Sequence, residues 1–246
     1  SKWLNINHGV ISGASGWMAR TTNGGVTWTE SNPGFSTAVD VAYPHKNTWF
    51  TISDRNGAYQ VGRKYETSTS ISVNVNVGIE GFWNGTTQVS DTVTVELRNS
   101  TSPYALVDQG KTVLTAGVGY GSVDFNSAGA GSYYIVVKHR NALQTWSAAP
   151  VAMTAGGNYN YNFTTAATQA YGSNMVLKLG RYCFFSGDVN QDEIVDGSDL
   201  SLIDNDGFNF VSGYVATDCN GDNFTDASDA SIAENNAFNT VTVVRP

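Results

Sequence analysis

Short segments in which every second residue is apolar fill the middle of the chain: "SISVNVNVGIEGFW", "DTVTVELRN", "YALVD", "GYGSVDFN", "GSYYIVVKHRN", "LQTWSAAPVAM" and "NYNYNFT", with turn residues between them. A period of two places one face of a strand on a core and the other in solvent. Seven or more such segments at spacings of roughly 10 to 18 residues predict an antiparallel β-sandwich over residues 67–180. Ahead of it, "GWMARTTNGGVTWTE" and "NTWFTISDRNGAYQVG" set Asn-Gly-Gly and Asn-Gly between apolar runs, which predicts β-hairpins within residues 1–66. From residue 181 onward the alternation stops. There "DLSLIDNDGFN" aligns with "DASIAENNAFN", preserving Ser201/Ser231, Asn205/Asn235, Phe208/Phe238 and Asn209/Asn239, and each copy predicts one short helix. The chain reads as mainly β, in three parts: 1–66, 67–180 and 181–246.

Charge sharpens this division. Residues 187–246 carry twelve Asp and Glu against the single base Arg245, a net of −11, whereas residues 1–186 carry nine acids and twelve bases, +3. So acidic a module repels nucleic acid and anionic lipid and attracts hard cations. No basic stripe with interleaved aromatics suggests nucleic-acid binding, and no apolar run is long enough for membrane insertion. Cys183 and Cys219 lie in or beside the acidic module, so one disulfide joining its halves and two small buried thiols are both open.

The acids themselves are spaced. Asp188, Asn190, Asp192, Asp196 and Asp199 occupy positions 1, 3, 5, 9 and 12 of a loop, and thirty residues later Asp218, Asn220, Asp222, Asp226 and Asp229 repeat the set. Ile194 and Phe224 stand at position 7, where a main-chain carbonyl would ligate while the side chain is expected to face the core. A calcium ion takes six to eight oxygens at about 2.3 to 2.6 Å, and a looping chain can turn alternate residues around it. Two Ca²⁺ sites are therefore expected. Transition metals are disfavoured, since neither loop offers His and Cys219 is expected to point away from the ligands.

The spacing and the duplicated helices resemble type I dockerin modules, tandem EF-hand-type loop–helix calcium-binding repeats of secreted bacterial proteins. The resemblance covers about 60 residues and implies calcium binding, an extracellular or cell-surface setting and docking to a cohesin-bearing scaffold. Two features depart from it. Loop position 6, usually Gly, is Glu193 and Asn223, and the helices lack the basic residues that in the family help contact the partner. Thr21, Asn23, Gly25 and Trp28 resemble an Asp-box, the turn element of β-propeller blades. With a single match, residues 1–66 are expected to form a partial blade with uncovered strand edges. The middle region resembles bacterial Ig-like or fibronectin-like modules in strand rhythm alone, and a jelly roll would share that rhythm.

No catalytic constellation emerges. The acids outside the loops are scattered rather than paired across a cleft, His8, His45 and His139 are far apart in sequence, and no nucleophile elbow is present. Trp83 and Trp146 could stack on sugars, but as sandwich residues they are expected to fill or rim its core. The expected function is a non-enzymatic, extracellular, calcium-stabilised structural protein. It would self-assemble into a homo-oligomer or filament by strand addition at the N-terminal β segment. The alternative is a dockerin-like anchoring module docking to a scaffold partner, with a carbohydrate-binding module ranked behind both.

Overall fold

The structure, a computed structural model, describes residues 2–3, 9–12, 18–21, 25–31, 38–45, 48–55, 58–65 and 69–246. It divides into two units, Ser1–Ser68 and Thr69–Pro246. In the first, β1 (Lys2–Trp3), β2 (Gly9–Ser12), β3 (Met18–Thr21) and β4 (Thr29–Ser31) form an antiparallel meander in that order. A second meander joins β5 (Ala38–His45), β6 (Thr48–Arg55) and β7 (Ala58–Tyr65). Both predicted hairpins are present, each within a larger sheet. Of the Asp-box set, Asn23 lies outside the described residues. The Gly25 N–H donates to Thr21 Oγ1 at 2.9 Å, and Trp28 Nε1 donates to the Gly25 carbonyl at 3.0 Å.

The second unit is built on a β-sandwich. One sheet has the order β10 (Leu106–Leu114), β9 (Asp91–Asn99), β12 (Gly131–His139), β13 (Ala142–Trp146), with β14 (Val151–Met153) also paired to β12. The other runs β11 (Tyr120–Phe125), β8 (Ile71–Asn76), β15 (Asn158–Asn162). Alternation does what the sequence implied: Ile71, Val73 and Val75 of β8 meet Val93, Val95 and Leu97 of β9 in one core, with Ile135 and Val137 of β12. Two expectations need correcting. The sandwich is not wholly antiparallel, because β15 runs parallel to β8, Asn158 opposite Ser72 through Asn162 opposite Asn76. And β10 extends well past "YALVD", its register shifting between Leu106 and Asp108. Strand β12 is apolar on both faces for a reason: Tyr134 and Val136 turn away from the main core to pack with Trp146, Tyr104 and Tyr171. Trp146 is thereby buried, and the Arg181 guanidinium lies 4.8 Å over the Trp83 ring, so both tryptophans serve packing.

After a short hairpin, β16 (Val176–Lys178) and β17 (Arg181–Cys183), the chain forms two helices, α1 (Gly197–Phe208) and α2 (Ala227–Phe238), the only α-helices among the described residues. None of these helices is long and apolar enough to cross a membrane. Each starts at a capping box: Asp196 or Asp226 accepts the N–H of Ser198 or Ser228, and Asp199 or Asp229 accepts the cap's own N–H. Each ends alike. Phe210 and Thr240 sit at φ 54° and 52°, while Val211 N and Val241 N reach back to the carbonyls of Asp206 and Asn236. This is a Schellman stop made without glycine, at a steric cost that bulky residues seldom bear.

The helical pair shares a core with the sandwich. Leu143 of β13 packs with Val189, Val195, Ile203, Cys219 and Ala233. Around it, Asn141 Nδ2 donates to the carbonyls of Ala216 (3.0 Å) and Asp218 (2.6 Å), and Asn236 Nδ2 donates to buried Glu80 (2.6 Å). Gly81 lies so close that a Cβ there would meet the Cys219 carbonyl at 1.9 Å. Cys183 and Cys219 are free, fully buried thiols, so of the two open readings the disulfide falls away. Burial pushes the Cys183 thiol up to about 12 and raises Cys219 as well. Thiolate is the reactive form, so neither cysteine should react with a thiol reagent such as DTNB in native buffer, and both should react once guanidinium unfolds the chain.

Candidate metal centre

Both twelve-residue loops are held by their last member. Asp199 Oδ1 accepts the N–H groups of Val189 (2.9 Å) and Asn190 (3.1 Å), and its Oδ2 that of Asp196 (3.0 Å). In the second loop Asp229 does the same for Cys219, Asn220 and Asp226, at 2.7, 3.0 and 2.9 Å. Position 12 thus fastens the start of each loop to its helix. Burial raises the carboxyl pKa of both residues against these hydrogen bonds.

Positions 3, 5 and 11 meet. Asn190 Nδ2 is held between Asp192 Oδ2 (2.9 Å) and Ser198 Oγ (2.8 Å), and Asn220 between Asp222 (3.0 Å) and Ser228 (2.8 Å). An amide N–H₂ group therefore occupies the place of a donor among oxygens, a place a cation would suit. Ser198 and Ser228 were not singled out from the sequence, although their identical loop position was readable there. Asp196 and Asp226, at position 9, are exposed caps, their pKa lowered first by the hydroxyl of Ser198 or Ser228. Glu193 and Asn223, at position 6, have φ of 79° and 70°, the turn for which glycine is the usual residue.

Position 7 departs from expectation. Ile194 and Phe224 are 39% and 62% exposed, and the core is reached instead by position 8, Val195 and Thr225. Extended pairing explains the shift, because neighbouring side chains alternate. Ile194 bridges Thr242 beyond α2, and Phe224 bridges Ser212 beyond α1. Val195 N donates to the Val241 carbonyl and Thr225 N to that of Val211, each at 3.0 Å, so each loop leans on the segment following the other loop's helix.

The two position 1 aspartates differ. Asp188 is only 2% exposed and its Oδ1 has no hydrogen-bond partner. Burial, together with the nearby carboxylates of Asp199 and Asp192, pushes its pKa up to about 7. It lines a cleft of about 110 Å³ with Lys138, Gln144, Gln191 and Glu193, in which Lys138 is engaged by Glu96 at 3.0 Å. Asp218 is equally buried but well served. Its Oδ1 accepts from Gly221 N (2.7 Å) and Asp222 N (3.2 Å), and its Oδ2 from Asn223 N (3.2 Å) and Arg140 (3.3 Å).

Among the described residues no three His, Cys, Asp or Glu side chains converge as a ready-made cluster. The donor set is mixed, carboxylates with Asn amides and main-chain carbonyls, and lacks nitrogen or sulfur ligands. A hard cation such as Ca²⁺ fits these groups, and the buried, unpartnered Oδ1 of Asp188 is an oxygen such an ion would satisfy.

Arg140 is the neighbour of the second loop that sequence reading missed. Its Nε donates to buried Asp91 at 2.9 Å, and its guanidinium stacks between Phe82 and Tyr214, 5.4 and 4.4 Å from the ring centres. Asp91 also faces His139 Nε2 at 3.1 Å and the Tyr214 hydroxyl at 2.6 Å. His139, the end of β12, is buried here and its pKa is lowered by that burial.

No family model matches the chain. No curated protein matches it either. Among solved structures the chain is similar to chains in two crystal structures from Acetivibrio cellulolyticus, described as a C-terminal and an N-terminal interface mutant of a type II Cohesin-X-Dockerin complex. Both are 17% identical over 69% of this chain and 95% of that chain, with TM-scores of 0.39 and 0.37.

Proposed function

We propose that residues 181–246 form a calcium-dependent, dockerin-like docking module of an extracellular protein without enzymatic activity. Asp188, Asn190, Asp192, the Ile194 carbonyl, Asp196 and Asp199 would supply oxygens in the first loop. Asp218, Asn220, Asp222, the Phe224 carbonyl, Asp226 and Asp229 would do so in the second. The observation that carries the reading is the duplicated loop and helix whose first copy buries an unpaired carboxylate oxygen. Calcium would supply the missing charge there and order the loop. Millimolar calcium, found outside cells, suits sites of this kind.

Docking rests on what the helices display. Phe208 and Phe238, the last residues of α1 and α2, are 84% and 89% exposed, and Phe210 stands beside the first on its strained backbone. A partner of matching chemistry offers apolar pockets and a basic rim, the complement of a helix pair bearing acids and no bases. The self-assembly expected from the sequence gains no support from the described residues.

A pull-down with immobilised cohesin-type domains tests this. The chain is expected to be retained in millimolar calcium, released by EGTA, and weakened at least tenfold in a Phe208→Ser/Phe238→Ser double variant. Failure to bind any such domain, together with concentration-dependent filaments by electron microscopy, would return the structural reading to first place.

A further inference from the structure

The two loops share their spacing, capping boxes, serines and position 12 staples, and they differ at two positive-φ positions, Gln191 against Gly221 and Glu193 against Asn223, neither of which favours the first loop. Their surroundings do. The first loop's buried position 1 carboxylate has an unpartnered oxygen, and the base lining the same cleft, Lys138, is tied to Glu96. The second loop's position 1 carboxylate already meets a cation: Arg140, from the end of the sandwich sheet, reaches Asp218 Oδ2 at 3.3 Å. Asp91, Phe82 and Tyr214 fix that guanidinium in place, its side chain only 14% exposed, so it does not swing clear at little cost.

We propose that Arg140 is a built-in counter-cation of the second loop, making the first loop the tight calcium site and the second a weaker one, set by the sandwich rather than by the loop's own residues. This rests on the calcium reading given above. A fixed positive charge against a ligand carboxylate opposes an arriving divalent ion and engages an oxygen lone pair the ion could use. At the effective dielectric of a partly buried site, a residual repulsion left after Asp91 has neutralised most of the guanidinium amounts to on the order of a tenfold weakening.

Calorimetric titration of calcium into the full chain, stripped with EGTA and exchanged into chelator-free buffer, tests it. Two classes of site are expected, differing on the order of tenfold. Asp192→Asn, at exposed position 5 of the first loop, should remove the tight class, and Asp222→Asn, its counterpart, the weak one. Arg140→Met should tighten the weak class by roughly tenfold while leaving the tight class nearly unchanged, and Arg140→Lys, which keeps a charge, should leave both classes apart. The Asp192→Asn and Asp222→Asn pair ranks the loops even where Arg140→Met lowers stability. Equal classes, loss of the tight class in Asp222→Asn, or a folded Arg140→Met chain whose weak class does not move would overturn the proposal and leave calcium binding standing. Absence of any calcium heat in the wild-type chain would overturn the calcium reading itself.

Discussion

Adding EGTA to the calcium-loaded chain is expected to lower the melting temperature of the 69–246 unit by roughly 5–10 °C. A site with a dissociation constant near 10 μM at millimolar calcium contributes about 2.7 kcal/mol by linkage, and in a unit of this size each kcal/mol moves the midpoint by about 2–4 °C. The sequence alone suggests that residues 187–246 would melt by themselves. Packing argues otherwise, because Leu143 of the sandwich sits in the module's core and Glu80 of the sandwich takes the Asn236 amide. Loss of calcium should therefore also reduce amide protection in β13. The effect has a pH signature. Asp188 has a raised folded pKa, from 3.8 to about 7, so the metal-free fold holds a proton that the unfolded chain releases at lower pH. Stability of the metal-free chain should fall as pH rises from about 4 to 7, so a chain stripped of calcium beforehand should melt lower at pH 8 than at pH 5. Differential scanning calorimetry measures both, on the loaded chain with and without EGTA at pH 8 and on the stripped chain at the two pH values, and an unchanged melt on adding EGTA at pH 8 would sink the calcium-dependent fold.

Asp91→Ala is expected to cost about 3–5 kcal/mol, seen as a lower midpoint in urea at pH 7. This carboxylate is 5% exposed and gathers the Arg140 guanidinium, the His139 ring, the Tyr214 hydroxyl and the Thr92 N–H. Burial alone would raise its pKa, yet the hydrogen bonds from His139, Tyr214 and Arg140 outweigh that and hold it below the usual carboxylate range. Removing it leaves a nearly buried guanidinium with Asp218 alone. Asp91→Asn, which keeps a carbonyl acceptor, should cost less. Because a depressed carboxyl pKa contributes stability above the unfolded value, near 3.8, and loses it as pH falls below, the wild-type chain should lose more stability than Asp91→Ala between pH 7 and pH 3. Equal midpoints for wild type and Asp91→Ala would remove the network from the account of stability.

What was legible in the sequence was local. The helices, their caps and the loop spacing all depend on residues within a dozen positions, and strands β8 and β9 announce themselves by alternation. What escaped reading was non-local or depended on pairing. Asp218 and Arg140 are 78 residues apart, and nothing near either indicates the other. The parallel pairing of β15 with β8 joins Asn160 to Asn74 and leaves no trace in either strand's period. Ile194 and Phe224 were turned to the core on the strength of being apolar, whereas the bridge each makes to a distant segment sets the direction of its side chain. The crowding of acids in both loops was readable from their spacing, but the Arg140 guanidinium beside the second loop's Asp218 was not.

The crossed bridges have a consequence for how the module could arise or be divided. Val195 leans on Val241 and Thr225 on Val211, so each repeat borrows its bracing strand from beyond the other's helix. A lone repeat would thus be half of a clasp, with a loop but nothing to brace it. Two copies are the smallest set that closes, and cutting the chain between them, or trimming residues 241–243, would unlatch the first loop while leaving every one of its oxygen-bearing side chains in place.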